Sequence, residues 1–272
     1  MTSAVERARA AAPQAMDRGW RRRLLAPAVY AAGLFALVAM AVDLEFTPTR
    51  FMSGGDRLLR LLASMVPPSS GGDAVRILRS LAETLAMAFV GTLIAALAAL
   101  PLGLIGAKTV VRQPLVHFLF RRFLDAFRGV PSLVWALILV SAFGLGPFAG
   151  VVALALADAP HLAKLFAEAI ENADARPVEG VRSTGAPPLA VMRLGLLPQV
   201  APVMASQCLY YLEGNFRNAA VLGIVGAGGI GFELEERIRI FAFDVAAFII
   251  IAYMLAVALL DTGSRALRQK LS

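Results

Sequence analysis

The sequence predicts an all-α, polytopic membrane protein with about six transmembrane helices, and three observations carry that prediction. Of the 272 residues, 58% are hydrophobic, against roughly 45 to 50% in soluble domains, and mean hydropathy is +0.71. Six apolar stretches recur along the chain, most of them near the ~20 residues that a helix needs to cross a bilayer. Lys and Arg gather in alternate connections between those stretches, as they do where the chain faces the cytoplasm.

Taken in order, residues 1–23 are rich in Ala and Arg and read as a cytoplasmic tail. The first span is 24–42. Arg21, Arg22 and Arg23 ahead of an apolar run ending Ala39-Met40-Ala41 have the layout of a secretory signal. The long charged region before them, and the even number of spans, favour a retained helix. An external segment, 43–76, follows; in it Arg57 and Arg60 interleave with Leu58, Leu59, Leu61, Leu62 and Met65, a pattern suited to a membrane interface. Pro67-Pro68 and Gly71-Gly72 close that segment.

The core, 77–266, holds the remaining spans at 81–107, 130–143, 148–170, 200–224 and 245–260, the third being short, with a tail at 267–272. Gly91, Ala95, Ala99 and Gly103 fall at four-residue steps and give the second span one smooth face for close helix packing. Pro101 on the same helix predicts a kink.

Placing the N-terminus in the cytoplasm puts Arg18, Arg21, Arg22, Arg23, Lys108, Arg112, Arg121, Arg122, Arg176, Arg182, Arg193, Arg265, Arg268 and Lys270 inside. Both termini are then cytoplasmic. Topology accounts for the net charge of +7, and no nucleic-acid partner is needed.

Enzymatic chemistry finds no support. The two histidines, His117 and His161, are isolated, and there is no His-x-x-x-His or Gly-x-Ser-x-Gly arrangement. No catalytic residue, metal site or cofactor is expected. Residues 226–231 match G-x-G-x-x-G, but they follow a membrane span and lack the soluble βαβ setting of a dinucleotide site. No G-x-x-x-x-G-K-[ST] occurs, so any ATP hydrolysis belongs to another chain. Cys208 is the only cysteine, which excludes an intrachain disulfide.

Two polar features interrupt the apolar pattern. The first is the loop 173–198, where Val178 and Val181 oppose Glu179 and Arg182 on a short surface helix of about 176–184. Gly185 and Pro187-Pro188 end it, Gly180 leaves room for a partner's close approach, and Pro198 stands where a new span begins. The second is the fifth span. Ser206, Tyr210, Glu213 and Arg217 lie on one of its faces, with Glu213 and Arg217 near enough to neutralise each other. Charges inside a span face protein or water, so this face is either a structural ion pair or a path on which Arg217 meets an anionic solute. Gly226, Gly228, Gly229 and Gly231 then form either a tight turn that needs positive φ or a gate whose N–H groups make an anion nest.

In the inner-membrane subunits of bacterial ABC importers the loop motif reads Glu-Ala-Ala, three residues, Gly, nine residues, a hydrophobic residue, one residue, Leu-Pro. Glu179, Gly185, Leu197 and Pro198 keep that register, while Gly180, Val181 and Gly195 depart from it. Together with Phe127-Arg128-Gly129-Val130-Pro131-Ser132-Leu133-Val134-Trp135, the run 164–171 and the run 221–231, the chain resembles the phosphonate ABC importer permease family. The resemblance implies the methionine-importer-like type I fold and import of a phosphonate, phosphate or phosphite by alternating access. It further implies two cytoplasmic ATPase subunits, a periplasmic solute-binding protein, a second copy of the chain, and a place in the inner membrane among its lipids. Glu179, Gly180, Arg182, Gly185 and Pro198 would then couple to the ATPase. Arg128-x-x-Pro131 and the glycine turn also resemble methionine permeases, which leaves an amino acid or an osmoprotectant as the alternative cargo.

Overall fold

The computed structural model describes residues 13–46, 48–111 and 113–271, and all regular structure in it is helical. Two compact units divide the chain, residues 1–63 and 64–272. The first holds α1 (Pro13–Asp43) and almost all of α2 (Pro48–Ser64). The stretch expected as the first span lies in α1, whose apolar part, Val29–Asp43, is short for a crossing. On α2 the leucines Leu58, Leu59 and Leu62 are exposed.

The second unit contains α3 (Ala74–Gly106), α4 (Pro114–Arg128), α5 (Ser132–Phe143), α6 (Pro147–Glu171), α7 (Ala175–Ser183), α8 (Pro188–Val191), α9 (Leu197–Leu222), α10 (Gly229–Arg239) and α11 (Phe243–Leu271). Among the described residues, four helical stretches are long and apolar enough to cross a membrane, and a fifth forms if α4 and α5, bent by 76°, count as one. The short third span of the sequence reading is therefore the second arm of a bent pair. Its break falls at Gly129 to Pro131, where the proline ring removes an N–H and drives the preceding residue out of the helical region.

The small-residue face of α3 meets α6. A Cβ on Gly91 would stand 2.9 Å from Leu154 Cβ, and one on Gly103 would stand 2.9 Å from Phe166 Cβ. Ala95 and Ala99 between them are fully buried. Lipid is as apolar as leucine, so helices in it gain from backbone proximity and dispersion rather than from leaving water. The smooth face supplies that proximity. One polar joint crosses this core: Asn215 of α9 donates from Nδ2 to Thr92 Oγ1 of α3 at 2.9 Å and to Asp158 Oδ2 of α6 at 2.5 Å.

Charged groups knit both ends of the unit. At one end Arg76 reaches Glu233 and Glu236 at 2.7 and 2.6 Å, and Arg237 reaches Asp73 at 2.6 Å. At the other, Glu171 Oε1 accepts from the Lys108 backbone N–H at 2.7 Å and from Arg121 at 3.0 Å. Buried His117 lies beside the same carboxylate, 3.9 Å away, and His161 Nδ1 is 2.8 Å from Ala157 O.

Candidate functional site: a surface helix and a polar cavity

Helix α7 starts and stops for local reasons. Asp174 caps it by accepting the Arg176 N–H at 3.0 Å. Gly185 ends it at φ +77°, a left-handed conformation that side chains disfavour. The helix is held from below by the start of the next span. Gln199 Oε1 accepts the Asp174 N–H at 2.9 Å, while Gln199 Nε2 donates to Gly195 O at 2.6 Å. Gly195 departs from the hydrophobic residue of the importer motif because a Cβ there would lie 2.9 Å from Val178 Cα. Its absence seats α7 directly on the span. Gly180 faces open space, with nothing within 4 Å of a built Cβ, and Glu179, Arg182 and Val178 border a cleft of about 690 Å³.

Pro198 lies in the first turn of α9, yet the helical path restarts earlier, at Pro188, inside the stretch expected as loop. A wide π-type turn at Met192–Leu196 makes this possible. The extra residue in that turn reroutes the hydrogen bonds just where Pro198 lacks a donor.

The polar face of α9 divides. Ser206 and Tyr210 line a cavity of about 660 Å³ with Leu165, Gln207, Tyr211 and Arg268. The expected Glu213–Arg217 pair is replaced by two bridges to the antiparallel α11: Arg268 Nη2 lies 2.7 Å from Glu213 Oε1, and Arg217 Nη1 lies 3.5 Å from Asp261 Oδ1. Arg217 thus stands away from Ser206 and Tyr210, beside an apolar pocket with Val221, Ile224, Ile250 and Tyr253. Spacing on one helix put Glu213 and Arg217 within reach of each other, but opposite charges on a neighbouring helix compete for the same side chains.

The glycine turn has the positive φ expected of it, at +96° for Gly226, +80° for Gly228 and +72° for Gly229. Its donors are engaged within the protein: the Gly229 N–H donates to Glu83 Oε1 at 3.1 Å and the Ile230 N–H to Thr84 Oγ1 at 2.7 Å. As an anion nest it therefore already holds a carboxylate of α3. Gly231 sits in the first turn of α10, where a side chain would collide with the Ala220 carbonyl.

A helix bundle with a bent span, a small helix seated across a span's end and a polar cavity beside that span is the architecture of an importer's membrane subunit. Residues 99–272 match the family described as the binding-protein-dependent transport system inner membrane component, and the chain belongs to that family. It is a permease subunit of an ABC importer in the inner membrane, working with an ATPase and a periplasmic binding protein, and it is not an enzyme. The chain is 39% identical to the phosphite transport system permease protein PtxC of Stutzerimonas stutzeri over 92% of its length and 90% of that protein's. It is 37% identical to the phosphate-import permease protein PhnE of Mycolicibacterium smegmatis over 86% of its length, spanning 44% of that longer protein. Among solved structures, the inward-facing MetNI methionine ABC transporter matches with a TM-score of 0.65 at 21% identity, over 75% of this chain and 100% of that one. That likeness shows the type I importer fold.

Proposed function

We propose that the chain passes a phosphorus oxyanion (phosphite, phosphate or a phosphonate) from the binding protein to the cytoplasm by alternating access. The observation that carries this reading is the 39% identity to a phosphite permease across nearly the whole of both chains. A guanidinium, two phenols, a hydroxyl and an amide around one cavity suit such a solute, since an oxyanion shedding water needs several donors. Two copies pair in the bilayer, and the α7 helix of each, in the loop 173–198, docks into a cleft of an ATPase subunit through Glu179, Gly180 and Arg182, while Gly185 and Pro198 hold that helix in place. The glycine turn at 226–231 serves as a gate hinge on the outer side.

In this reading both termini and α7 face the cytoplasm, and segments 43–76 and 226–244 face out. Uptake of radiolabelled phosphate and phosphite by cells expressing the chain with its ATPase and binding protein tests the cargo. Uptake that appears only with all three chains and saturates with either anion is expected; uptake of amino acids alone would overturn the reading. For orientation, single cysteines are introduced at Ser70 and Ser183 in a Cys208→Ala background. An impermeant reagent should label position 70 in intact spheroplasts and spare position 183.

A further inference from the structure

The bridge between Glu213 and Arg268 is close but poorly aligned. Arg268 Nη2 stands 2.7 Å from Glu213 Oε1, yet that buried oxygen accepts no hydrogen bond among the described residues. Arg–carboxylate pairs are frequently bidentate, with two parallel N–H···O bonds; this one is a single contact. Here the two charges are matched at that one contact. The same guanidinium lines the cavity of Ser206, Gln207, Tyr210 and Tyr211, and buried Gln207 Oε1 is also without a hydrogen-bond partner among the described residues.

A second cavity, of about 360 Å³, continues from the first. It shares Leu165, Val203 and Gln207 with it and runs to Asn172, Asp174 and Gln199, the residues beside the start of α7. Its other charged lining residue is Glu168, so the far stretch is acidic. A solute moving along α9 toward the α7 end therefore meets one cation, Arg268, and then carboxylates that repel it.

We propose that Arg268 is the cationic contact for the phosphorus oxyanion in the half of the path nearest α7, and that Glu213 is its resting counter-ion. This rests on the oxyanion reading of the cargo. When the solute reaches the cavity, the guanidinium turns from Glu213 to the phosphorus-bound oxygens, with the Tyr210 and Ser206 hydroxyls and the Gln207 amide completing the shell. As the solute leaves, Glu213 recaptures Arg268, so the anion is not trapped and the arginine is never left as a lone buried charge. Lys and Arg near the ends of spans ordinarily serve orientation alone; its place in the wall of the cavity sets Arg268 apart from them.

The test measures uptake of radiolabelled phosphate and phosphite per transporter molecule, with membrane abundance from immunoblots, in cells carrying the complete transporter. Arg268→Gln removes a charged hydrogen-bond donor and should cut uptake by about ten- to a hundredfold. Arg268→Lys keeps charge without the planar fork and should fall between that variant and the wild type. The deciding variant is Arg268→Gln with Glu213→Gln, which leaves no unpaired buried charge. A solute contact predicts wild-type abundance with uptake still depressed about tenfold or more. Wild-type uptake per molecule in the double variant would overturn the proposal and make the bridge structural. If the wild-type transporter moves neither anion, the cargo reading falls and this inference falls with it; transport by the wild type and the double variant alike rejects only the role of Arg268.

Discussion

The contact between α3 and α6 and the contact between α9 and α11 solve the same packing problem by opposite means. The first brings backbones together over Gly91, Ala95, Ala99 and Gly103, with the Thr92–Asn215–Asp158 joint beside them. The second is held at Glu213–Arg268 and Arg217–Asp261, with a cavity alongside. Close-packed apolar surfaces have one good register and transmit force as a rigid body. Bridged charges beside a cavity have room for a charged solute to come within reach of them. A transporter needs both, because a conformational change is carried by rigid blocks moving about contacts that can be remade.

The largest effect should come from spoiling the rigid seam. Replacing Gly103 with Leu places a side chain where even a Cβ would be 2.9 Å from Phe166 Cβ, and overpacking of this kind costs about 1–3 kcal/mol or more. Membrane abundance and the thermal midpoint in detergent should both drop. A Gly103→Leu protein that melts like the wild type would show that the seam is looser than its geometry. Next comes the polar joint inside the same core. Asn215→Leu removes the only amide bridging Thr92 and Asp158 among the described residues and leaves a buried carboxylate without that donor. A loss of about 1–3 kcal/mol is expected, and Asn215→Leu combined with Asp158→Leu should recover part of the melting temperature.

The rigid seam was legible in the sequence because its information is local: four small residues at helical spacing on one span define a smooth face whatever it packs against. The stop of α7 at Gly185 and the positive φ of the glycine turn were legible for the same reason. The bridged contact between α9 and α11 was not. Helical spacing correctly put Glu213 and Arg217 on neighbouring turns, but their partners, Arg268 and Asp261, lie on α11 and reach them only after the chain has folded back. Arg268 stood in the sequence as one of several terminal basic residues that set orientation. Glu83 occupying the glycine turn and Gln199 gripping the start of α7 are likewise contacts between distant segments. Pro188 restarting a helix inside the expected loop needed a wide turn that no single residue announces.

A perturbation at the base of α7 should cost less stability than one in the seam and act chiefly on coupling. Gly195→Leu forces Val178 and the Pro177 carbonyl away from the span, since a Cβ there already lies 2.9 and 3.3 Å from them. Under the docking proposed for α7, solute-stimulated ATP hydrolysis and uptake should both fall several-fold, with a smaller drop in the thermal midpoint than Gly103→Leu gives, because the α3–α6 seam is untouched. Equal losses in melting temperature and uptake would place the defect in folding instead.

The smallest effect is expected at Arg217, and it sharpens the division of the α9 face. Its side chain is half exposed, its bridge to Asp261 is long at 3.5 Å, and it borders an apolar pocket rather than the cavity of Ser206 and Tyr210. Exposed or partly exposed bridges contribute about 0–1 kcal/mol. Arg217→Gln should therefore keep abundance and uptake within about twofold of wild type, since that much free energy changes an equilibrium only a few-fold. Asp261→Asn should be equally mild, because neither partner is left fully buried. If Arg217→Gln instead abolishes uptake at normal abundance while the Arg268→Gln, Glu213→Gln double variant transports freely, the solute runs along the other side of α9. The α9–α11 contact would then be divided the opposite way, with Arg217–Asp261 as the exchangeable bridge and Glu213–Arg268 as the fixed one.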